Sequence, residues 1–430
     1  MRPRFLPSGG WSENIPDPMK PFHALLFLAS SVAVHAEPAA VPAGEFSRQQ
    51  ISNQFWAEGA AFGDFNKDGK MDVASGPYWW EGPGFSKRHT YADDAKTSAI
   101  KKADGTPETI PGFKGALGNE NDYSKNFLAY THDFNADGWT DILILGFPGE
   151  QSWWYENPQG KDGPWTQHVA MDVTDNESPT FTDITGDGQP EIVCNSGGYF
   201  GYATFDPKNA GEKFKWHPIS PKGPWQRFTH GIGVGDVNGD GKMDILEKDG
   251  WWEQPASLAG DPVWAKHEAL FGGGGAQMFA YDVNGDGRND VITSLAAHGY
   301  GLAWFEQTND GGWTKHLVIG EKPEQNPQGV AFSQLHAIEL VDMNGDGWKD
   351  IVTGKRFWAH GPAGDPDPNG TPVLYWFELK REGGQASYVA HLIDDASGVG
   401  TQVTAGDLNG DRKPDVLVGN KRGVFVFLRK

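Results

Sequence analysis

The stretch DVNGDGKMD, Asp236–Asp244, packs three aspartates and an asparagine around two glycines in nine residues. Carboxylates this close repel one another unless a cation sits among them. Nearly the same nine residues occur seven times, opening at Asp64, Asp133, Asp183, Asp236, Asp282, Asp342 and Asp407, at spacings of 46 to 69 residues. Repetition at that period marks a chain of structural repeats, so the 430 residues are not to be divided into two or three unlike domains.

Each copy sits in a longer unit. A small or apolar run leads into the loop, an apolar stretch such as DILIL (Asp141–Leu145) or DVITS (Asp290–Ser294) leaves it, and an aromatic stretch follows: WWE from Trp79 and Trp251, WWYE from Trp153, YWFE from Tyr375. Most units close with an aromatic three residues before a histidine, as in Trp165/His168, Trp264/His267, Trp313/His316 and Tyr388/His391. Four short strands per unit predict an all-β fold, a seven-bladed β-propeller of four-stranded blades. The last unit stops at GVFVFLRK without a fourth strand, while FSRQQIS, Phe46–Ser52, resembles WTKHLVI and precedes the first loop. That amino-terminal segment is expected to supply the outer strand of the last blade and close the ring, removing open edges. Blades bury both faces, so the tryptophan pairs and the histidines that recur after them read as packing groups.

Composition agrees. Gly 58, Trp 18 and 13% aromatics suit short strands and tight turns. The net charge of -21 argues against nucleic acid or an anionic membrane surface as partner. The single cysteine, Cys194, allows no internal disulfide. MKPFHALLFLASSVAVHA, residues 19–36, has the lysine, short apolar run and small-residue end of a signal peptide cut after Ala36. The run is too short for a permanent membrane anchor. The domain reading is an upstream extension at 1–18 with translation starting at Met19, a signal peptide at 19–36, a Pro/Ala linker at 37–44 and the propeller at 45–430, in a secreted or periplasmic protein.

In the loops, oxygen ligands fall at positions 1, 3, 5 and 9, with a glycine at 6 for the turn. This is the order of the first part of an EF-hand loop without the flanking helices, and hard oxygens in that number suit structural Ca²⁺. Zn²⁺ would call for Cys or His, which the loops lack. The expected ligands are Asp64, Asn66, Asp68 and Asp72; Asp133, Asn135, Asp137 and Asp141; Asp183, Thr185, Asp187 and Glu191; Asp236, Asn238, Asp240 and Asp244; Asp282, Asn284, Asp286 and Asp290; Asp342, Asn344, Asp346 and Asp350; Asp407, Asn409, Asp411 and Asp415. Two copies depart from the pattern: Thr185 and Glu191 replace Asn and Asp in one, and Arg412 stands at the turn glycine in the other. These two are expected to bind most weakly.

On these residues the chain resembles the FG-GAP or VCBS repeat family, calcium-loop β-propellers that include the integrin α-subunit head. The resemblance covers Phe46 to Lys430. The carboxyl-terminal third, VTGKRFWAHGPAGDPDPNG (Val352–Gly370) and GVGTQVTAGDLNGDRKPDVLVGNKRGVFVF (Gly398–Phe427), is more narrowly similar to the propeller of the aldos-2-ulose dehydratases, which act on keto-sugars and carry additional cupin domains that this chain has no room for. The resemblance implies metal loops on one face and function on the other, where the strand two-to-three and four-to-one connections lie. The longest of the latter, Tyr91 to about Asn126, is a candidate lid.

Three histidines escape the repeat's packing position: His298, His336 and His360. His230 occupies the same place as His336, six residues before its loop aspartate. With Tyr300, Lys355 and Arg356 they form the candidate catalytic set, and Lys248, Asp249, Lys421 and Arg422 fall on equivalent connections. Imidazole, phenol and cations around a pocket would serve a lyase, in which a base removes the proton α to a keto or carboxyl group. The first reading is an exported carbohydrate- or ligand-binding scaffold, with a protein partner also conceivable. The alternative is a carbohydrate lyase or keto-sugar dehydratase. Glu58, Glu120, Asp122 and Glu177 lie outside the loops and leave a paired-carboxylate glycosidase open. No serine-hydrolase, zinc-protease, Walker or dinucleotide motif stands out.

Overall fold

The residues that leave each acidic loop form a strand buried on both faces. Successive side chains of a strand point to opposite sides, and here sequence neighbours enter different apolar clusters. Val73 packs with Trp56, Trp80 and Leu417, whereas Ala74 packs with Trp79, Ile142 and Ile144. Leu143 faces Ile192 and Cys194, while Val193 faces Ile245 and Trp252. Leu246 joins Val291, Ile292 joins Ile351, and Val352 joins Val416 and Phe427. Burial on both sides is why these strands read as continuous apolar runs.

The computed structural model describes residues 45–93, 96–102, 104–115 and 121–430. The expected extension, signal peptide and linker, 1–44, and Glu120 lie outside them. The described residues fall in one compact unit, Pro38–Lys430. The fold is all-β, made of antiparallel meanders, with one parallel pairing, residues 232–234 along 277–279, that joins two of them into an eight-stranded sheet. In chain order the four-stranded meanders begin with Ala61–Gly63, Asp72–Ser75, Tyr78–Trp80 and Arg88–Thr90. The next is Leu128–His132, Asp141–Leu145, Glu150–Glu156 and the first part of the long strand Thr166–Thr182, whose second part opens a third meander with Glu191–Ser196, Tyr199–Thr204 and Lys215–Pro218. Ile232–Gly235, Asp244–Glu247, Gly250–Glu253 and Ala265–Glu268 follow, then Gln277–Tyr281, Asp290–Ser294, Leu302–Gln307 and Trp313–Ile319. The sixth is Ile338–Val341, Asp350–Gly354, Leu374–Glu382 and Gln385–Asp394. The last, Thr404–Gly406, Asp415–Asn420 and Gly423–Arg429, takes Phe46–Ser52 as its fourth strand, with Phe46 opposite Arg429.

The segment expected as a lid contains a hairpin, Thr97–Lys101 with Pro107–Pro111. The only helical pieces among the described residues are short 3₁₀ turns, Pro207–Asn209 and Pro323–Gln325. None of those residues forms a helix long and apolar enough to cross a membrane.

The recurring aromatics and histidines are packing groups, as read. His89, His168, His267, His316 and His391 stack on Trp79, Trp154, Trp251, Trp304 and Trp376 at ring distances of 4.0 to 4.3 Å. Each ring also meets the glutamate two residues after its tryptophan: Glu81, Glu156, Glu253, Glu306 or Glu378. Trp154 is fully buried. Trp154→Ala is therefore expected to cost about 3–5 kcal/mol by the cavity and lost-transfer argument, read as a lower urea midpoint at unchanged slope.

Candidate functional site

Each acidic loop is held by its own carboxylates. In the first copy Asp64 accepts N–H bonds from Asp68 (3.1 Å) and Gly69 (2.9 Å), Asn66 accepts from Asp68 (2.9 Å), and Asp68 accepts from Lys70 (2.9 Å). The ninth residue does something the sequence reading did not foresee. Asp72 is fully buried; one oxygen accepts the Phe65 N–H at 2.9 Å and the other the Gly82 N–H at 2.8 Å, beyond the third strand. Asp141, Asp244, Asp290, Asp350 and Asp415 repeat this double bond.

Burial, with further push from the loop's other aspartates, raises the carboxyls of Asp72, Asp244, Asp290 and Asp350 to about 6 and that of Asp141 to about 8. These are acids whose charge is poorly compensated by the protein alone. Each oxygen that accepts one N–H keeps a second lone pair, so the oxygens at positions 1, 3 and 5, on one turn, could hold a hard cation; in six of the seven loops the ninth carboxylate does not join the other two within 4.8 Å. In two loops a cationic side chain takes up part of the charge, Lys242 on Asp240 and Arg288 on Asp286.

The two atypical loops differ from each other. Among the described residues, the loop that brings three carboxylates within 4.8 Å of one another is that of Asp183, Asp187 and Glu191, a copy expected to be weak. The longer Glu191 side chain reaches further into the loop and takes the Thr185 hydroxyl at 3.1 Å. In the other, Arg412 adopts φ 68° and donates its N–H to Asp407 at 2.8 Å, as glycine does elsewhere. A side chain there is held in the left-handed region at a cost of roughly 1–2 kcal/mol, partly offset by glycine's larger unfolded-state entropy. Arg412→Gly is expected to stabilise the protein by about 0.5–1 kcal/mol, visible as a raised melting temperature.

A second group of polar side chains gathers where the chain enters the first strands. Glu58, Glu177, His230 and His336 each stand six residues before a loop's first aspartate. The two histidines were read from that register; the two glutamates carry the same signal but entered only as open carboxylates. His336 Nε2 lies 3.0 Å from Glu177 Oε2, His230 Nε2 lies 3.5 Å from the same oxygen, and His230 Nε2 lies 2.9 Å from His298 Nε2. All four groups offer an atom within 4.8 Å of the others. The His230 Nδ1 nitrogen faces the Phe228 carbonyl at 2.9 Å, which makes it the protonated one in a neutral ring.

Arg356 links the two glutamates, bonding Glu58 Oε2 at 2.9 Å and approaching Glu177 Oε2 at 3.9 Å. Lys421 stands 3.9 Å from Glu58 Oε1 and bonds Asn121. Tyr123, from the expected lid, donates to the Ala359 carbonyl at 2.7 Å and so pins that segment over the site.

Burial, reinforced by the neighbouring cations, lowers His298 to about 2 and His336 to about 4, so both imidazoles are neutral near pH 7. Burial alone would raise Glu177, but its contacts with His230 and His336 carry its carboxyl far below the usual range and keep it ionised. A glycosidase acid needs the opposite shift. Burial also lowers Lys421 to about 7, against the pull of Glu58.

His360 stands at the outer edge of this group. Its ring is 4.6 Å from that of His298, and Nδ1 is 2.9 Å from Asp365 Oδ1. Its side chain is 52% exposed, against 25% for His298 and none for His336. Tyr300 and Lys355 form a separate contact: Tyr300 bridges to Ser333 through the backbone, and Lys355, wholly buried, donates to the Ser333 hydroxyl at 2.6 Å. Burial lowers Lys355 to about 8. Lys248 pairs with its neighbour Asp249, and Arg422 lies over Phe357.

A family model described as an FG-GAP-like repeat matches residues 133–194, 282–353 and 342–418. No curated protein matches the chain. Among solved structures, the exotype rhamnogalacturonan lyase YesX is 14% identical, with a TM-score of 0.41 over 91% of this chain and 75% of that one. YCF48 from Cyanidioschyzon merolae is 11% identical, with a TM-score of 0.43 over 89% and 98%. The V. cholerae biofilm matrix protein Bap1 is 19% identical, with a TM-score of 0.31 over 60% of this chain; the match spans 38% of Bap1's length. The chain carries FG-GAP-like repeats in three regions, on an all-β, propeller-like fold.

Proposed function

We propose that this is an exported β-propeller of seven four-stranded blades, stabilised by calcium in its acidic loops, whose opposite face carries out acid–base elimination on a carbohydrate. Ring closure is supported by the pairing of Phe46–Ser52 with the last strand, and by the cluster that packs Trp56, Val73 and Trp80 against Leu417 and Val426. Calcium is supported by the donor set of the loops and its uncompensated charge. The leader-like stretch supports export, and the similarity of Val352–Gly370 and Gly398–Phe427 to the keto-sugar dehydratases supports the substrate class.

One observation carries the catalytic reading: His360, oriented by Asp365, stands at the solvent edge of a buried centre of three imidazoles and a glutamate. The Asp365 contact holds the Nδ1 proton and leaves the Nε2 lone pair free toward solvent, the arrangement of a general base. His360 takes the proton α to a keto or carboxyl group and the C–H pair becomes the enolate. The enolate collapses to a C=C bond as the β C–O bond breaks, and the departing oxygen receives a proton. Tyr300 is the candidate donor from the neighbouring connection. Arg356 and Lys421 are positioning residues, which hold Glu58 and Glu177 in place.

A second reading, a glycan-binding face without turnover, is favoured by the mutual pairing of Glu58, Arg356 and Lys421 in the interior, which leaves them closed to a ligand. Incubation with a panel of keto-sugars and uronate polymers separates the two. Elimination raises ultraviolet absorbance, and His360→Ala is expected to lower that rate by about 10²–10⁴-fold at an unchanged melting temperature. Silence across the panel with retention on a glycan array selects the binding face. Chelation with EDTA is expected to lower the melting temperature by roughly ten degrees or more, because ligands of the folded state stabilise it by mass action; an unchanged melt removes calcium from the account.

A further inference from the structure

We propose that the cavity lined chiefly by the first strands of the seven meanders binds a small organic cation bearing an alkylated ammonium group, through the Glu339 carboxylate and the rings of Phe62, Tyr130, Phe181 and Phe279. The cavity holds about 520 Å³, within the range of sites that bury a small molecule. It is separate from the histidine cluster. Its acidic and aromatic walls stand two or three residues before a loop's first aspartate, whereas His230 and His336 stand six before.

A single acid enters this space. Of the seven residues at the third place before a loop's first aspartate, Glu339 alone is charged; the others are small, hydroxylic or aromatic. Among the described residues no other charged side chain lines the cavity. Glu339 Oε1 accepts the Leu340 N–H at 3.1 Å, and Lys349, an exposed side chain, acts on the carboxylate only from beyond ion-pair range. Burial pushes the carboxyl up to about 7 against the pull of both, the mark of a charge without a partner. A carboxylate in this state gains from any cation brought beside it.

The neutral polar groups of the wall are already engaged with the strands. Gln402 accepts the Ala129 N–H at 2.9 Å and donates to the Ala129 carbonyl at 2.8 Å, and Gln277 accepts the Ile338 N–H at 2.9 Å. Thr131 donates to the Phe62 carbonyl at 2.9 Å and Thr404 to the Ala60 carbonyl at 3.0 Å. A sugar, which needs many free donors and acceptors, finds few here. A hard metal ion, which needs several oxygen ligands, finds one carboxylate. What the wall does offer is ring surface. The Tyr130 hydroxyl donates to the Pro179 carbonyl at 3.2 Å, which occupies its polar end, and its ring meets that of Phe181 at 5.7 Å with the planes inclined by 50°. Inclined rings beside a carboxylate are the elements that recognise an alkylated ammonium: the ring faces attract its charge, and its methyl groups replace water on apolar surface.

The surroundings favour the same sign of ligand. Thr182, Phe62 and Thr131 stand one or two residues from the first aspartate of their loops, so one end of the cavity lies beside acidic loops. With a net charge of -21 on the chain, the field there draws cations in and repels anions. The inference uses none of the groups invoked for elimination.

Titration of calcium-saturated mature protein with choline chloride, read by calorimetry in physiological salt that screens the surface acids, provides the test. The expected result is saturable binding of one choline per chain. The neutral isostere of choline, with a tert-butyl group in place of trimethylammonium, is expected to bind at least about ten-fold more weakly. Glu339→Gln is expected to lower the affinity for choline at least about ten-fold, and Phe181→Leu about three- to ten-fold. Asp310→Asn, on an exposed turn away from the cavity, should bind as the parent does. Lack of saturable binding by the parent overturns the proposal. So does equal affinity for the isostere, which makes the cavity a site for apolar ligands, or undiminished binding by Glu339→Gln, which moves the attraction to surface acids. If one substitution unfolds the chain, the other decides. Because no turnover is read, failure here and failure of the lyase reading are separate results.

Discussion

The buried carboxylate at the ninth position of each loop is the contact on which the rest depends. In six of the seven loops one of its oxygens holds the loop that enters it and the other holds the backbone beyond the third strand, as Asp72 does with Phe65 and Gly82; Glu191 in the remaining loop holds Ile184 and Thr185. A buried carboxylate with two backbone donors ties three consecutive strands to one point. It thereby fixes the register of the first strand against the second, since a slip of one residue would exchange its inner and outer faces. With the register fixed in this way in six loops, and by Glu191 on the Ile184 N–H in the other, the residue six places before each loop falls at a corresponding place in every meander. Glu58, Glu177, His230 and His336 meet because of that, although as many as 278 residues separate Glu58 from His336.

Much of the fold was legible because its signals are local. The nine-residue loops, the apolar runs after them and the aromatic–histidine pairs each have a short-range cause: oxygen donors on one turn, burial on two faces, an imidazole stacked on an indole and held by the glutamate of WWE, WYE or WFE. Even the strand supplied by Phe46–Ser52 was visible through its likeness to WTKHLVI. The site was legible only in part. Register six places before a loop marks His230 and His336, and it marks Glu58 and Glu177 equally. It could not show that Tyr300 and Lys355, close in the chain to His298 and Arg356, turn to Ser333, because connections between strands follow no repeat. Nor could spacing show that the ninth aspartates serve the backbone first.

Electrostatics divides the molecule into two kinds of acid. Each loop carries two carboxylates at or near the surface and a third, at the ninth position, whose burial raises its affinity for a proton. The centre carries few acids, each with a counter-charge or an imidazole against it: Glu58 with Arg356, Glu177 with His230 and His336, Asp365 with His360. A net charge of -21 thus says little about the chemistry of the site, which sits among paired groups.

That division explains why imidazole and carboxylate can share so small a space at the centre. A buried anion without a partner costs several kcal/mol, and a buried cationic histidine beside Arg356 would cost as much again. The arrangement avoids both by keeping His298 and His336 neutral and Glu177 charged, with the guanidinium behind it. The outcome is a cluster rich in lone pairs and short of protons, next to an exposed histidine whose own proton is fixed by Asp365.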